Sequence, residues 1–349
     1  MQTRHINLAL QGGGALGAFT WGVLDRLLDE SWLEIDAISG TSAGALNGAA
    51  LKAGLARGGA KGGRMAAREN LDWLWSQVSE VNDLRLDSWV QALFPNPELI
   101  GRWMQAFSPA AWVDQITRMV SPYDSGPFYV NPLERIVERF EYQHVCAESG
   151  PQFFVSATNV RTGKIRVFSG KEVSSQAILA SACLPTLFRA VEIFDETTGR
   201  TEAFWDGGYT GNPALFPLFE PQFPRDVLIV AINPMAREGV PKTPAEIEER
   251  INEISFNSSL LRELRAISFV RRLIAEERLP TGAMKDVLIH IVGDDEVMVE
   301  LGAAEKVTPT QGTLKRLKAA GQAATERFLS AHAGDLGTRA SVDLAALFS

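Results

Sequence analysis

A chain of 349 residues can bury a substantial core, and its 46% hydrophobic and 22% charged residues are those of an ordinary globular protein, not a disordered or collagen-like one. The formal net charge of -8 argues against a general nucleic-acid binder, and the two cysteines, Cys146 and Cys183, make no metal-ligand spacing and read as buried apolar side chains. No stretch approaches a membrane span and the first apolar run is too short for a secretion signal, so a soluble, cytoplasmic chain with its native N-terminus is expected.

Ile6 to Leu10 reads as a short buried strand that runs into the glycine loop Gln11-Gly12-Gly13-Gly14-Ala15-Leu16-Gly17, followed by a helix from about Ala18 to Glu30. Trp32 to Ser39 is a second strand, and it delivers Gly40-Thr41-Ser42-Ala43-Gly44 ahead of an alanine-rich helix. A G-x-S-x-G turn between strand and helix exposes a serine hydroxyl at the carboxyl end of a sheet. Gly54 to Arg64 reads as a flexible basic loop, with a helix from Met65 to Val78 after it.

Residues 84 to 123 are rich in tryptophan, phenylalanine and leucine, with helix starts after Asn96-Pro97 and Ser108-Pro109; they read as a helical cap, whose apolar surface could wall an acyl pocket or rest on lipid. Asn131 to Phe140 reads as a helix. Gln152 to Thr158 and Lys164 to Phe168 read as a hairpin, and Ser174 to Ala182 as a helix stopped at Cys183-Leu184-Pro185.

Val191 to Phe194 and Glu202 to Trp205 are short strands, and the second delivers Asp206-Gly207-Gly208, a tight turn from which a carboxylate projects at the sheet edge. Val227 to Asn233 and Val287 to Val292 are further buried strands. Between them Pro244 to Glu277 is a long amphipathic helix with Arg262, Arg265, Arg271 and Arg272 on a basic face, and Gln311 to His332 is a last long helix. No repeat or linker divides the chain, which is expected to form a single domain over residues 1–349 with a helical C-terminal region from about 244.

Two chemistries compete for the first glycine loop. Backbone N–H groups at a helix N-terminus bind an anion, and this could be a dinucleotide pyrophosphate or the transient oxyanion of acyl transfer. Gly12, Gly14 and Gly17 fit G-x-G-x-x-G, and Glu34 or Asp36 lies near the distance at which an oxidoreductase would bind a ribose. That reading leaves the Ser42 turn without a role.

The glycine loop, the Gly40 to Gly44 turn and Asp206-Gly207-Gly208 occur in this order, each at a strand end, and Ser181-Ala182-Cys183-Leu184-Pro185 lies upstream of the aspartate. Over residues 6 to 212 this resembles the patatin-like phospholipase family. The resemblance implies a three-layer α/β fold, its mostly parallel central sheet flanked by helices. It also implies a serine acyl hydrolase that cleaves the carboxylic esters of lipids, with Ser42 as nucleophile, Asp206 as its base and the backbone of Gly12, Gly13 and Gly14 as the oxyanion hole. Gly17, Gly40, Gly44, Gly207 and Gly208 would support these turns.

No cofactor or metal is implied, the partner is a lipid ester substrate, and peripheral contact with a lipid surface is compatible. The family commonly carries Lys or Arg at the position of Leu16, so recognition of an anionic headgroup at that point is not expected here. A non-catalytic lipid-binding scaffold is the remaining alternative, and intact Ser42 and Asp206 weigh against it. A Ser-Asp-His triad would need His290, which falls inside a predicted strand; His5, His144 and His332 lie in no better place.

Overall fold

The computed structural model describes residues 2–93, 121–124, 129–280, 282–301 and 309–348. Most of the expected cap, residues 94–120, lies outside the described residues. An eight-stranded sheet forms the middle of the molecule, in the order β5-β6-β3-β2-β1-β7-β8, with β4 also paired to β3. The strands are β1 (Arg4–Leu10), β2 (Leu33–Gly40), β3 (Gln152–Asn159), β4 (Ile165–Ser169), β5 (Val191–Asp195), β6 (Arg200–Asp206), β7 (Asp226–Val230) and β8 (Leu288–Val292). From β3 through β2, β1 and β7 to β8 every pairing is parallel, whereas β3 pairs with β4 and β6, and β6 with β5, in antiparallel fashion.

Alternation along the central strands creates two cores. Ile6, Leu8 and Leu10 of β1 with Leu228 and Val230 of β7 point to one side; Ala9 with Val227 and Ile229 point to the other. The first side is covered by α1 (Gly17–Leu27), α2 (Ala43–Leu93) and, after the intervening elements, the helix Gln311–His332. Phe19, Val23, Leu24 and Leu27 of α1 are buried there, each contributing about 1.5–3 kcal/mol by leaving water.

The second side is covered by the helix Pro244–Ala275 through Leu260, Leu264 and Ile267. That helix opens on a capping box between Thr243 and Glu246, with Pro244 in its first turn. These are the three layers implied by the sequence resemblance: a mostly parallel central sheet flanked by helices. On the helix's basic face, Arg271 pairs with Asp286 at 3.1 Å, while Arg265 and Arg272 lie over the rings of Phe348 and Phe269.

Two local expectations are corrected. Gly54 to Arg64 is not a loop: α2 remains helical on both sides of Gly59, whose φ of 55° and ψ of -157° break it into two arms. The glycines let the arms touch, since a Cβ at Gly54 would stand 2.2 Å from Ala67 Cα. Asn131 to Phe140 is helical only over Glu134–Val137, and a second short turn follows at Tyr142–Val145.

Candidate active site

Strand register brings three distant segments to one height. Leu10 of β1 lies opposite Gly40 of β2, and Gly40 lies opposite Val155 of β3. Two residues further along each chain stand Gly12, Ser42 and Ala157, and Ala157 is paired with Asp206 of the antiparallel β6. The glycine loop, the serine and the aspartate therefore meet at the carboxyl end of the parallel strands, where open α/β sheets place their sites.

Ser42 occupies a turn that only close packing can hold. Its φ is 55°, in the left-handed region that a side chain disfavours. The Ser42 N–H donates to Ser181 Oγ at 2.9 Å, and its carbonyl accepts from Ala45 and Leu46 as α2 begins. Gly44 is required where β1 passes beneath the turn, because a Cβ there would stand 2.1 Å from the Leu10 carbonyl oxygen. Thr41 is tied to Ser156 Oγ at 2.6 Å and to the Gly211 carbonyl at 2.7 Å, which fixes the turn to the segment after Asp206.

Asp206 is fully buried. Its Oδ1 accepts from the Gly208 N–H at 2.7 Å, and Oδ2 is buried without a hydrogen-bond partner among the described residues. Burial pushes its carboxyl up to about 7, opposed by the Gly208 N–H and by the Ser42 hydroxyl, which is near enough to act on the charge. The Ser42 side chain thus lies near the Asp206 carboxylate, with no hydrogen bond closed between them. The backbone is held by Asp206 N–H donating to the Cys183 carbonyl at 2.8 Å and by Thr158 Oγ1 donating to the Asp206 carbonyl at 2.8 Å. Tyr209, which follows the Asp206-Gly207-Gly208 turn, meets Phe256 edge to face at 5.4 Å.

In the glycine loop, a Cβ on Gly12 would stand 2.6 Å from Ser42 Cβ, so only glycine fits there. One expectation fails: the Gly12 N–H is not available to an oxyanion, because it donates to Asn212 Oδ1 at 2.7 Å. The N–H groups of Gly13 and Gly14 have no acceptor among the described residues. Leu16 is 3% exposed and packs in the core.

Sequence reasoning gave no role to the amides around this loop. Gln11 Oε1 accepts from the N–H groups of Ile232 and Asn233, and Gln11 Nε2 donates to Asn257 Oδ1 at 3.2 Å. Asn212 and Asn233 bond the loop itself. The signal was present as a glutamine just before the glycines and an Asn-Pro just after the Asp-Gly-Gly turn.

The other candidates lie elsewhere. His290 is buried beside β7, with Nε2 3.0 Å from Asp226 Oδ1 and Nδ1 3.1 Å from Ser341 Oγ, and Asp226 begins β7 at the end of the sheet opposite Ser42. Asp36 pairs with His5 at 2.8 Å and Glu34 with Arg64 at 3.4 Å, both remote from the glycine loop. A cavity of about 220 Å³ bordered by Leu28, Arg64 and Pro151, and one of about 300 Å³ bordered by Trp21, Trp75 and Leu314, include neither Ser42 nor Asp206. In the first, Arg64 is already bonded to the carbonyls of Leu28 and Leu33. Among the described residues no helix is long and apolar enough to cross a membrane.

No sequence among curated proteins matches the chain. Of solved structures, VipD from Legionella pneumophila is similar at 16% identity and a TM-score of 0.41, over 95% of this chain and 67% of that one. The type III effector protein ExoU is similar at 15% identity and a TM-score of 0.31, over 94% of this chain and 53% of that one, so the chain spans about half of ExoU. The model of the patatin-like phospholipase family matches residues 8–219, and the chain belongs to that family.

Proposed function

We propose that the chain is a serine acyl hydrolase of lipid esters working through a Ser42–Asp206 dyad. The observation that carries this reading is a serine held at a φ of 55° on a strand-to-helix turn, beside a fully buried carboxylate whose pKa is pushed up to about 7. A serine hydroxyl is a weak nucleophile until a base takes its proton, and a carboxylate near 7 is a far better base than one in water.

In the first half-reaction Ser42 Oγ attacks the ester carbonyl carbon as Asp206 Oδ2 accepts the hydroxyl proton. The N–H groups of Gly13 and Gly14 receive the charge that develops on the carbonyl oxygen. Collapse of the tetrahedral intermediate breaks the ester C–O bond, and the departing alcohol takes the proton from Asp206. In the second, water attacks the acyl-enzyme with Asp206 again as base, and the carboxylic acid leaves with Ser42 restored.

The buried Leu16 leaves this loop without a cation for a phosphate headgroup, which favours selection by the acyl chain. The Tyr209–Phe256 ring pair next to the Asp206 turn is in keeping with such a chain. Hydrolysis of short and long p-nitrophenyl esters and of phosphatidylcholine vesicles by wild type and Ser42→Ala tests the reading. Wild-type turnover that Ser42→Ala lacks supports it, and equal turnover by the two proteins rejects it.

A further inference from the structure

We propose that Asn212 and Asn233 are positioning residues that aim the oxyanion donor of this site by gripping the Gly12 carbonyl, an inference that rests on the acyl-hydrolase reading above. Asn212 Nδ2 donates to the Gly12 carbonyl oxygen at 3.3 Å while its Oδ1 accepts from the Gly12 N–H at 2.7 Å. Asn233 Nδ2 donates to the same carbonyl oxygen at 2.7 Å. The Gly12 carbonyl and the Gly13 N–H belong to one planar trans peptide and point in opposite directions. Two amides that fix the carbonyl oxygen therefore fix the direction of the Gly13 N–H, which points away from them and has no acceptor among the described residues.

The grip is itself rigid. Asn212 and Asn233 are 0% and 5% exposed. The Asn212 N–H donates to Ser259 Oγ at 3.1 Å, and its carbonyl accepts from Gln11 Nε2 at 3.3 Å. Asn233 receives the loop from the other side, through the bond of its N–H to Gln11 Oε1 at 3.0 Å. Because Asn212 follows Asp206 closely in the chain, one short segment sets both the base and the aim of the donor. Three successive glycines, Gly12 to Gly14, have no side chains to prevent their peptide planes from rotating, and an oxyanion donor acts only if it is held in place before the charge appears.

The test uses Asn212→Ala and Asn233→Ala in the full chain, with kcat expressed per site titrated by a fluorophosphonate. A long-chain alkyl trifluoromethyl ketone, which adds to the serine as a tetrahedral oxyanion, serves as the probe of the donor. The expected result is a fall in kcat per titrated site of about 10- to 100-fold, KM within about threefold, and ketone affinity weakened by a similar factor to kcat. A folded variant with kcat and ketone affinity within about threefold of wild type overturns the proposal. Failure of both variants to fold also overturns it, since the amides then serve the fold and not the donor. A wild type that neither turns over esters nor reacts with the fluorophosphonate rejects the hydrolase reading itself, a different outcome from any variant result.

Discussion

Ser42 and Asp206 stand at the same height in the sheet although their strands, β2 and β6, run in opposite directions and do not pair with each other. β3 lies between them and serves as the ruler, with Val155 opposite Gly40 and Ala157 opposite Asp206. The fully buried carboxylate, at the last residue of β6, is thereby brought to the serine turn. With Asp206 as the proposed base, activity and stability are expected to respond to its ionisation in opposite senses.

Activity is expected to rise with pH through about 7, because the base works only when ionised and its pKa is pushed up to about 7. Stability has the reverse slope. Below about pH 4 both folded and unfolded states hold the proton; between about 4 and about 7 the unfolded state has lost it while the folded state keeps it, so stability falls as pH rises through the window. Glu263, also pushed up to about 7 by burial, adds the same slope. Measuring kcat/KM and Tm from pH 5 to 9 checks both; a parallel rise of the two would contradict the buried-base account.

Asp206→Asn separates these effects. The amide keeps the size of the carboxylate and can still accept from the Gly208 N–H, but it cannot take a proton from Ser42. The expected outcome is a loss of about 10²- to 10⁴-fold in kcat, together with a Tm at pH 8 raised by roughly 2–6 °C because no charge is buried. An inactive variant with a lowered Tm would mean that the charge supports the fold.

Strain at Ser42 is measurable by comparing two inactive variants. Ser42→Gly releases the left-handed backbone that Ser42→Ala retains. Ser42→Gly should therefore unfold at higher denaturant than Ser42→Ala, by about 1 kcal/mol. Equal midpoints would show that the turn carries no stored strain.

His290→Ala discriminates a dyad from a triad. Removing the imidazole leaves buried Asp226 with the Gly337 N–H as its remaining side-chain partner among the described residues, so stability should drop by about 3 kcal/mol. The kcat/KM of the folded variant should stay within about threefold of wild type, since the ring sits at the opposite end of the strands from Ser42. A thousandfold loss at unchanged KM would restore histidine to the mechanism.

What the sequence revealed depended on how local each signal is. Leu10 followed by Gly12 to Gly14, and Ile38 followed by Gly40 to Gly44, each hold strand, turn and helix within a few residues, so their geometry could be read directly. The direction of β6 could not, because pairing with β3 joins positions far apart and either direction leaves Asp206 at a strand end. The use of the Gly12 N–H was hidden for the same reason: its acceptor, Asn212, arrives from a distant segment and competes with any ligand. Gly54 to Arg64 misled in a different way. Glycines that break an isolated helix here let two helical arms approach to backbone contact, and only the tertiary packing distinguishes these uses.

Covalent labelling shows whether Ser42 is a nucleophile activated by Asp206. Wild type, Ser42→Ala and Asp206→Asn are treated with an alkyl fluorophosphonate, followed by intact mass and peptide mapping. One adduct on Ser42 is expected in wild type, none in Ser42→Ala, and labelling slowed at least a hundredfold in Asp206→Asn. An adduct on any other residue, or equal labelling rates in wild type and Asp206→Asn, would contradict activation of Ser42 by Asp206.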